Sequence, residues 1–348
     1  TWRRLRVPGD ATTIRIWGGG SDLHGDICHV DTESPTRPST RYLLRPASGT
    51  FALVSQVRVP NHNPSEYRWR RLWIRARDGV RVPMTIVRPR GRGAGRPGPL
   101  LLCGYGAFGR NAPAGFRVDT ISLLERGVVC AVAHVRGGGE LGRAWHENGR
   151  RSNKYKSATD FVDCAEYLVE RGWTTPGQLA LEGRSAGACV AAAAVNMRPD
   201  LFGAVHLDAP FLDVRTAMAG ADNSLVDLDD WASPGDQTDS SAGCTPDPYG
   251  RLSPQIYPPV LATTQIHDSS VPCWHAATYV ARLRDCGGSE TLLWCDMEAA
   301  DHRGRSNMIG WATHRAFSLA WLIAAVNALQ GRCVPRATTS GYDCNRQV

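Results

Sequence analysis

The chain is expected to fold as an α/β protein with a mainly parallel, doubly wound sheet, preceded by a short all-β stretch. Three observations predict this. From Pro99 onward, short apolar runs alternate with segments of helical length, and that alternation implies a parallel sheet covered on both faces. Before Pro99 the chain reads as short β segments and turns. Finally, the apolar run Leu179-Ala180-Leu181 leads into Gly183-Arg184-Ser185-Ala186-Gly187, and small residues follow over 188–197. That is the sequence form of a sharp strand-to-helix turn with a serine at its apex.

Taken in order, residues 12–17, 42–45 and 51–59 read as strands, with Gly18-Gly19-Gly20 as a turn. Residues 67–76 alternate as a strand, and Arg77-Asp78-Gly79 turns the chain into a partner strand at 80–87. Residues 88–99, rich in Gly, Pro and Arg, form an exposed loop. Strands are expected at 100–103, 128–134, 204–207, 260–266 and 291–297, besides the one before Ser185. Helices are expected at 120–126, 156–171, 188–197, 272–284 and 307–329. The chain therefore divides into an all-β segment (1–60), an α/β domain (61–331) and an irregular tail (332–348). The first segment is too short to close an all-β domain alone.

Composition narrows the partners. The chain has 348 residues, and no apolar run is long enough to span a bilayer, so no membrane partner is expected. Net charge is +7, but Lys154 and Lys156 are the only lysines. The arginines read as spread along the chain rather than as a basic, aromatic-interleaved block, so no nucleic-acid partner is expected. Of 11 cysteines, Cys103, Cys130 and Cys295 lie in apolar runs and serve as small hydrophobes. No two are spaced as C-x-x-C, so no metal site is expected and a reducing compartment fits. The chain opens on Thr1 rather than Met, which leaves room for a native start upstream.

A serine at such a turn is a candidate nucleophile, and it needs a base and an orienting acid. In open α/β sheets these groups sit on loops at the carboxyl ends of strands. Two loops qualify: His267-Asp268-Ser269-Ser270 after one strand, and Asp301-His302-Arg303-Gly304 after another. The order Ser185, Asp268, His302 is the chain order of an α/β-hydrolase. Asp285, Asp296 and Asp301 compete with Asp268, which leads because it directly follows a strand. His302 leads His134 and His206, which fall in or at the end of strands, His275 and His314, which fall in helices, and His267, which abuts the acid. Gly104-Tyr105-Gly106-Ala107-Phe108-Gly109 matches a dinucleotide fingerprint. The helix that should follow is replaced by Arg110-Asn111-Ala112-Pro113, so no dinucleotide or other cofactor is expected. The same loop suits an oxyanion donor.

These residues resemble the prolyl oligopeptidase family of serine peptidases, in particular its oligopeptidase B members. The carrying segments are GYGAFG at 104–109, VRGGGELGRAWHENG at 135–149 and GRSAG at 183–187. RPDLF at 198–202, HDSSV at 267–271 and DHRG at 301–304 complete them. The resemblance implies an α/β-hydrolase catalytic domain over 61–331, with residues 1–60 as a remnant of a β-propeller that restricts entry to short peptides. It implies Ser185 as nucleophile, Asp268 as orienting acid, and His302 as base. The Tyr105 hydroxyl and Ala186 N–H would form the oxyanion hole. A cytoplasmic location follows from the same resemblance. Three departures matter: most of the propeller is absent, Asp301 and Arg303 flank His302, and Ala188 replaces a usual Gly.

The expected function is hydrolysis of short peptides after Arg or Lys. Asp227 and Asp229, in Asp227-Leu228-Asp229-Asp230-Trp231, fall where the family carries the acids of its first subsite. The second-subsite acids fall near Pro113 and Gly115, so no preference for a second basic residue is expected. A carboxylesterase-like hydrolase and a catalytically inactive remnant are the alternatives.

Overall fold

The computed structural model describes residues 4–18, 27–219, 229–231, 246–288, 290–298, 301–302, 304 and 307–328. The 332–348 tail, Asp227 and Arg303 lie outside them.

The first part is a four-stranded antiparallel meander: β1 (Thr13–Gly18), β2 (Cys28–Ser34), β3 (Arg37–Arg45) and β4 (Thr50–Gln56), paired in that order. A single propeller blade has this form. Neither β2 nor the first half of β3 is predicted by sequence periodicity. The sequence of β2, Cys-His-Val-Asp-Thr-Glu-Ser, is largely polar, yet Val30, Asp31, Thr32 and Ser34 are buried. Asp31 is satisfied there by Arg41 Nε at 2.6 Å and by Trp17 Nε1 at 2.9 Å. The blade touches the rest of the chain through side chains, as where Trp69 Nε1 donates to Asp10 Oδ2 at 2.8 Å.

The second part is an eight-stranded sheet. Its strands are β5 (Tyr67–Arg75), β6 (Arg81–Pro89), β7 (Leu100–Gly104), β8 (Val129–Ala133), β9 (Leu179–Arg184), β10 (Ala204–Asp208), β11 (Val260–Gln265) and β12 (Thr291–Asp296). They lie in the order β12-β11-β10-β9-β7-β8-β6-β5. The six strands from β12 to β8 are parallel to their neighbours; β6 and β5 pair antiparallel. Helices on both faces are α1 (Val118–Glu125), α2 (Arg143–Glu147), α3 (Tyr155–Glu170), α4 (Ala186–Met197), α5 (Val214–Ala219), α6 (Trp274–Asp285) and α7 (Met308–Ala328). The short α2 and α5 carry too little periodicity to be read from sequence. Among the described residues, no helix is long and apolar enough to cross a membrane.

The apolar run before Ser185 is continuous because β9 is covered on both sides. Leu179 and Leu181 join the core that contains α3 and α4, through Phe161 and Val190. Ala180 joins the opposite core with Leu123 of α1 and Leu322 of α7. Each fully buried Leu or Phe contributes roughly 1.5–3 kcal/mol. Helix α4 is buried all round from Ala186 to Val195, and its small side chains let it lie close against β9. At Gly183 an added Cβ would stand 2.6 Å from the Gly187 oxygen and 2.7 Å from Ala188 Cα. The crossing therefore tolerates only hydrogen at that position.

Candidate active site

Ser185 caps α4 in a strained conformation, φ 54° and ψ −128°. A non-glycine residue at positive φ costs of order 1–3 kcal/mol and persists only where surrounding bonds impose it. They do so here. Ser185 N–H donates to Asp208 O at 2.9 Å, and Ser185 O accepts from Phe211 N–H and Ala188 N–H. The strain lifts the hydroxyl out of the sheet towards His302.

The two strand-end loops meet at that hydroxyl. His302 Nε2 lies 3.0 Å from Ser185 Oγ, and His302 Nδ1 lies 2.8 Å from Asp268 Oδ2. The second Asp268 oxygen accepts the Ser270 and Val271 N–H groups at 2.9 and 2.8 Å. Burial works against the Asp268 charge. The bond from His302 and the two N–H groups outweigh it and hold the carboxyl below its ordinary value. An ionised Asp268 fixes the imidazole with its proton on Nδ1 and leaves Nε2 free to accept from the serine. Of the competing acids, Asp296 lies on β12 and Asp301 pairs across the base loop with Gly304; neither is the carboxylate on His302.

Arg184, beside the nucleophile, was not singled out by sequence. Its Nε pairs with Asp208 Oδ2 at 2.8 Å, and its Nη2 donates to the His302 carbonyl. One guanidinium thus braces the serine turn against the base loop. The sequence signal was present, an Arg inside the Gly-x-Ser-x-Gly turn, but its partner is 118 residues away.

Tyr105 borders the same space. Burial pushes its hydroxyl pKa up, so it remains a neutral donor. Ala186 is the first residue of α4, where backbone N–H groups lack intrahelical partners and the helix dipole favours negative charge. The loop bearing Tyr105 is held by glycine-only contacts. An added Cβ on Gly137 would stand 2.3 Å from Gly106 O, and one on Gly139 would stand 2.2 Å from Gly109 O. This is the physical reason for Arg136-Gly137-Gly138-Gly139 in the 135–149 segment. No helix follows the loop until Val118, so the dinucleotide arrangement is absent.

A buried ionic cluster also anchors this loop, and sequence reasoning missed it. Asp230 Oδ1 accepts Phe108 N–H at 2.8 Å and lies 2.9 Å from His146 Nε2. Its other oxygen pairs with Lys154, whose Nζ also donates to Gly106 O at 2.9 Å. The Lys154 and Asp230 side chains are 0% and 1% exposed, and the ammonium sits 4.6 Å from the Trp231 ring centre.

The expected first-subsite acids are not buried carboxylates in the described residues. Asp227 lies outside them. Asp229 is half-exposed, and its carboxylate meets Arg150 and, at 3.5 Å, Arg151. The buried acid of that segment is its neighbour Asp230, which the clamp consumes. A cavity of about 840 Å³ adjoins Ser185 and His302, and its wall includes Tyr105, Arg110, Pro113 and Gly115. That volume suits a ligand of several residues.

Known proteins share this fold and family. Residues 114–328 match the prolyl oligopeptidase family model. The chain is 35% identical over 295 residues to dipeptidyl aminopeptidase BI of Pseudoxanthomonas mexicana, covering 83% of this chain and 41% of that protein. It is 34% identical over 298 residues to protease 2 of Moraxella lacunata, covering 84% and 43%. Among solved structures it is similar to oligopeptidase B from Leishmania major (TM-score 0.84, 29% identity, 92% of this chain and 46% of that one). It is equally similar to oligopeptidase B from Trypanosoma brucei with covalently bound antipain (TM-score 0.84, 30% identity, 93% and 46%). The chain thus spans less than half the length of these relatives. The sheet order, the strained serine with its histidine and aspartate, and the match over 114–328 agree: the chain belongs to the prolyl oligopeptidase family.

Proposed function

We propose that this chain is a serine peptidase that hydrolyses short peptides through an acyl-enzyme, with Ser185, His302 and Asp268 as its triad. The observation that carries the reading is His302 standing within hydrogen-bond distance of both Ser185 and Asp268. Ser185 Oγ attacks the scissile carbonyl while His302 Nε2 takes its proton. The Tyr105 hydroxyl and the Ala186 N–H stabilise the oxyanion. His302 then gives the proton to the leaving amine, water enters, and the same steps in reverse order of roles release the acid. Asp268 keeps the imidazole oriented throughout. The family membership and the resemblance to peptidases support peptides as substrates.

The finer part of the reading is cleavage after Arg or Lys, with Asp227 and Asp229 receiving the substrate cation. A guanidinium is the best bidentate match for a carboxylate. At Asp229 it competes with Arg150 and Arg151. Pro113 and Gly115 bring no charge to the cavity wall and Arg110 brings a positive one, which disfavours a second basic residue before the cut.

The test is a fluorophosphonate probe together with fluorogenic peptides. The probe should label the protein, and Ser185→Ala should abolish labelling and lower kcat on the order of 10⁶-fold, by analogy with other triads. Absence of labelling in folded protein refutes the reading. Turnover of esters without peptides points to a carboxylesterase. Equal turnover of Arg and Leu peptides refutes the Arg/Lys preference, and a large gain from a dibasic pair refutes the uncharged second subsite.

A further inference from the structure

Ten of the chain's arginines fall between Arg68 and Arg96, against one acidic residue, Asp78. Trp69 and Trp73 are interleaved with them. This local density corrects the even spread of arginine expected from the sequence as a whole. The segment is the β5–β6 hairpin and the loop after it, and β5 is the outermost strand of the eight-stranded sheet.

The register sets like charges face to face. Arg68 stands opposite Arg88, and Arg75 stands opposite Arg81. Like charges directly across a strand pair are destabilising. The Arg88 guanidinium feels this: burial, then Arg70 and Arg68, hold it below its usual range. Among the described residues, only Arg77 of the ten has an ion pair, with Asp163 at 2.7 Å. Arg71 has a longer-range attraction to Glu140. Arg70 and Arg81 lie 5.2 Å from the ring centres of Trp173 and Trp73. Arg68, Arg70, Arg71, Arg75 and Arg81 are exposed. An edge strand needs some charge to keep other strands away. Two like-charge pairs exceed that need, and Arg68, Arg75, Arg81 and Arg88 have no ion pair among the described residues.

We propose that the β5 edge is a docking site for an extended acidic polypeptide segment, which adds to the sheet as a further strand with its carboxylates against these arginines. No further strand pairs with β5 among the described residues, so its outer backbone groups are available to an extended chain. An Asp or Glu placed opposite Arg68 or Arg75 gives each repelled arginine an attractive partner on its other side. Arg is the residue whose planar fork matches a carboxylate in two-point contact. A nucleic-acid duplex would use the charge but not the strand edge, which is why a polypeptide is the better fit. The edge lies four strand spacings from β9, roughly 19 Å, so docking leaves Ser185 accessible.

The test uses the full chain and a fluorescein-labelled Glu/Val peptide whose glutamates fall on both faces of a strand, two of them spaced as Arg68 and Arg75 are on β5, followed by fluorescence anisotropy at two salt concentrations. Binding should weaken as salt rises. Arg68→Glu/Arg75→Glu should raise Kd roughly tenfold or more. That variant keeps the fold, because it replaces two like-charge pairs by opposite ones, and probe labelling of Ser185 reports this. Arg126→Glu/Arg143→Glu carries the same change in net charge elsewhere and should bind as wild type does. A peptide N-methylated at alternate residues should bind more weakly, because it cannot complete the strand pairing. Equal weakening in both charge variants, or no loss with the N-methylated peptide, overturns the proposal. So does preferential binding of a DNA duplex or of anionic vesicles over the peptide.

Discussion

Asp230→Asn tests whether the buried clamp behaves as an ion pair in a dry site. The substitution keeps the shape and an oxygen for Phe108 N–H, but it removes the carboxylate that pairs with Lys154. Lys154 is then left with Gly106 O, at 2.9 Å, and the Trp231 ring. Breaking a buried pair by removing one partner costs about 3–5 kcal/mol. Burial already pulls the Lys154 pKa down, and Asp230 opposes that pull; without Asp230 it falls further. The sign of the pH effect follows. A lysine whose folded pKa is depressed binds fewer protons in the folded state, so stability rises with pH. The deficit should be largest at low pH and shrink as pH rises through the folded value towards the ordinary lysine value of about 10.4. Urea unfolding read by tryptophan fluorescence measures it, with the midpoint lowered by about 1 M at neutral pH. Lys154→Met/Asp230→Asn leaves no buried charge and should recover most of the loss. A double variant whose cost equals the sum of the two single ones refutes the reasoning, as does a deficit that stays constant between pH 7 and 10.

Further outcomes are expected at the site. Tyr105→Phe should lower kcat by roughly 10²–10³, with little change in KM, in the fluorogenic peptide assay. Arg184→Ala frees the base loop from the serine turn and should slow fluorophosphonate labelling about tenfold to a hundredfold, without abolishing it. Asp268 has a lowered folded pKa, so its contribution to stability is full above its unfolded value of about 3.9 and is lost as pH falls through the folded one; acid unfolding of Asp268→Asn should lack that component. Gly183→Ala drives a methyl into the Gly187 carbonyl and should cost about 1–3 kcal/mol in the urea assay.

Much of the α/β part was legible because its signals are local. A parallel strand buried on both faces must be apolar throughout, as Leu179 to Leu181 and Val260 to Ala262 are. A helix laid closely on such a strand must be small, as α4 is. The blade was less legible. Polar β2 is buried through partners on other strands, such as Arg41 and Trp17 for Asp31, and short polar strands carry no period of their own.

The sequence by itself determined which residues were able to make a triad: a serine inside a Gly-x-Ser-x-Gly turn, and an acid and a histidine each just past an apolar run. Those are local facts of spacing and side-chain chemistry. Only the tertiary structure decided that His302 reaches both partners, that Arg184 braces its loop, and that Asp230 serves Lys154 and the Tyr105 loop. It also decided that Asp229 turns to Arg150 and Arg151. In Asp227-Leu228-Asp229-Asp230 the acids are nearly alike as residues. Burial and the cation within reach give Asp229 and Asp230 their different roles, and both are set by segments about 80 residues away.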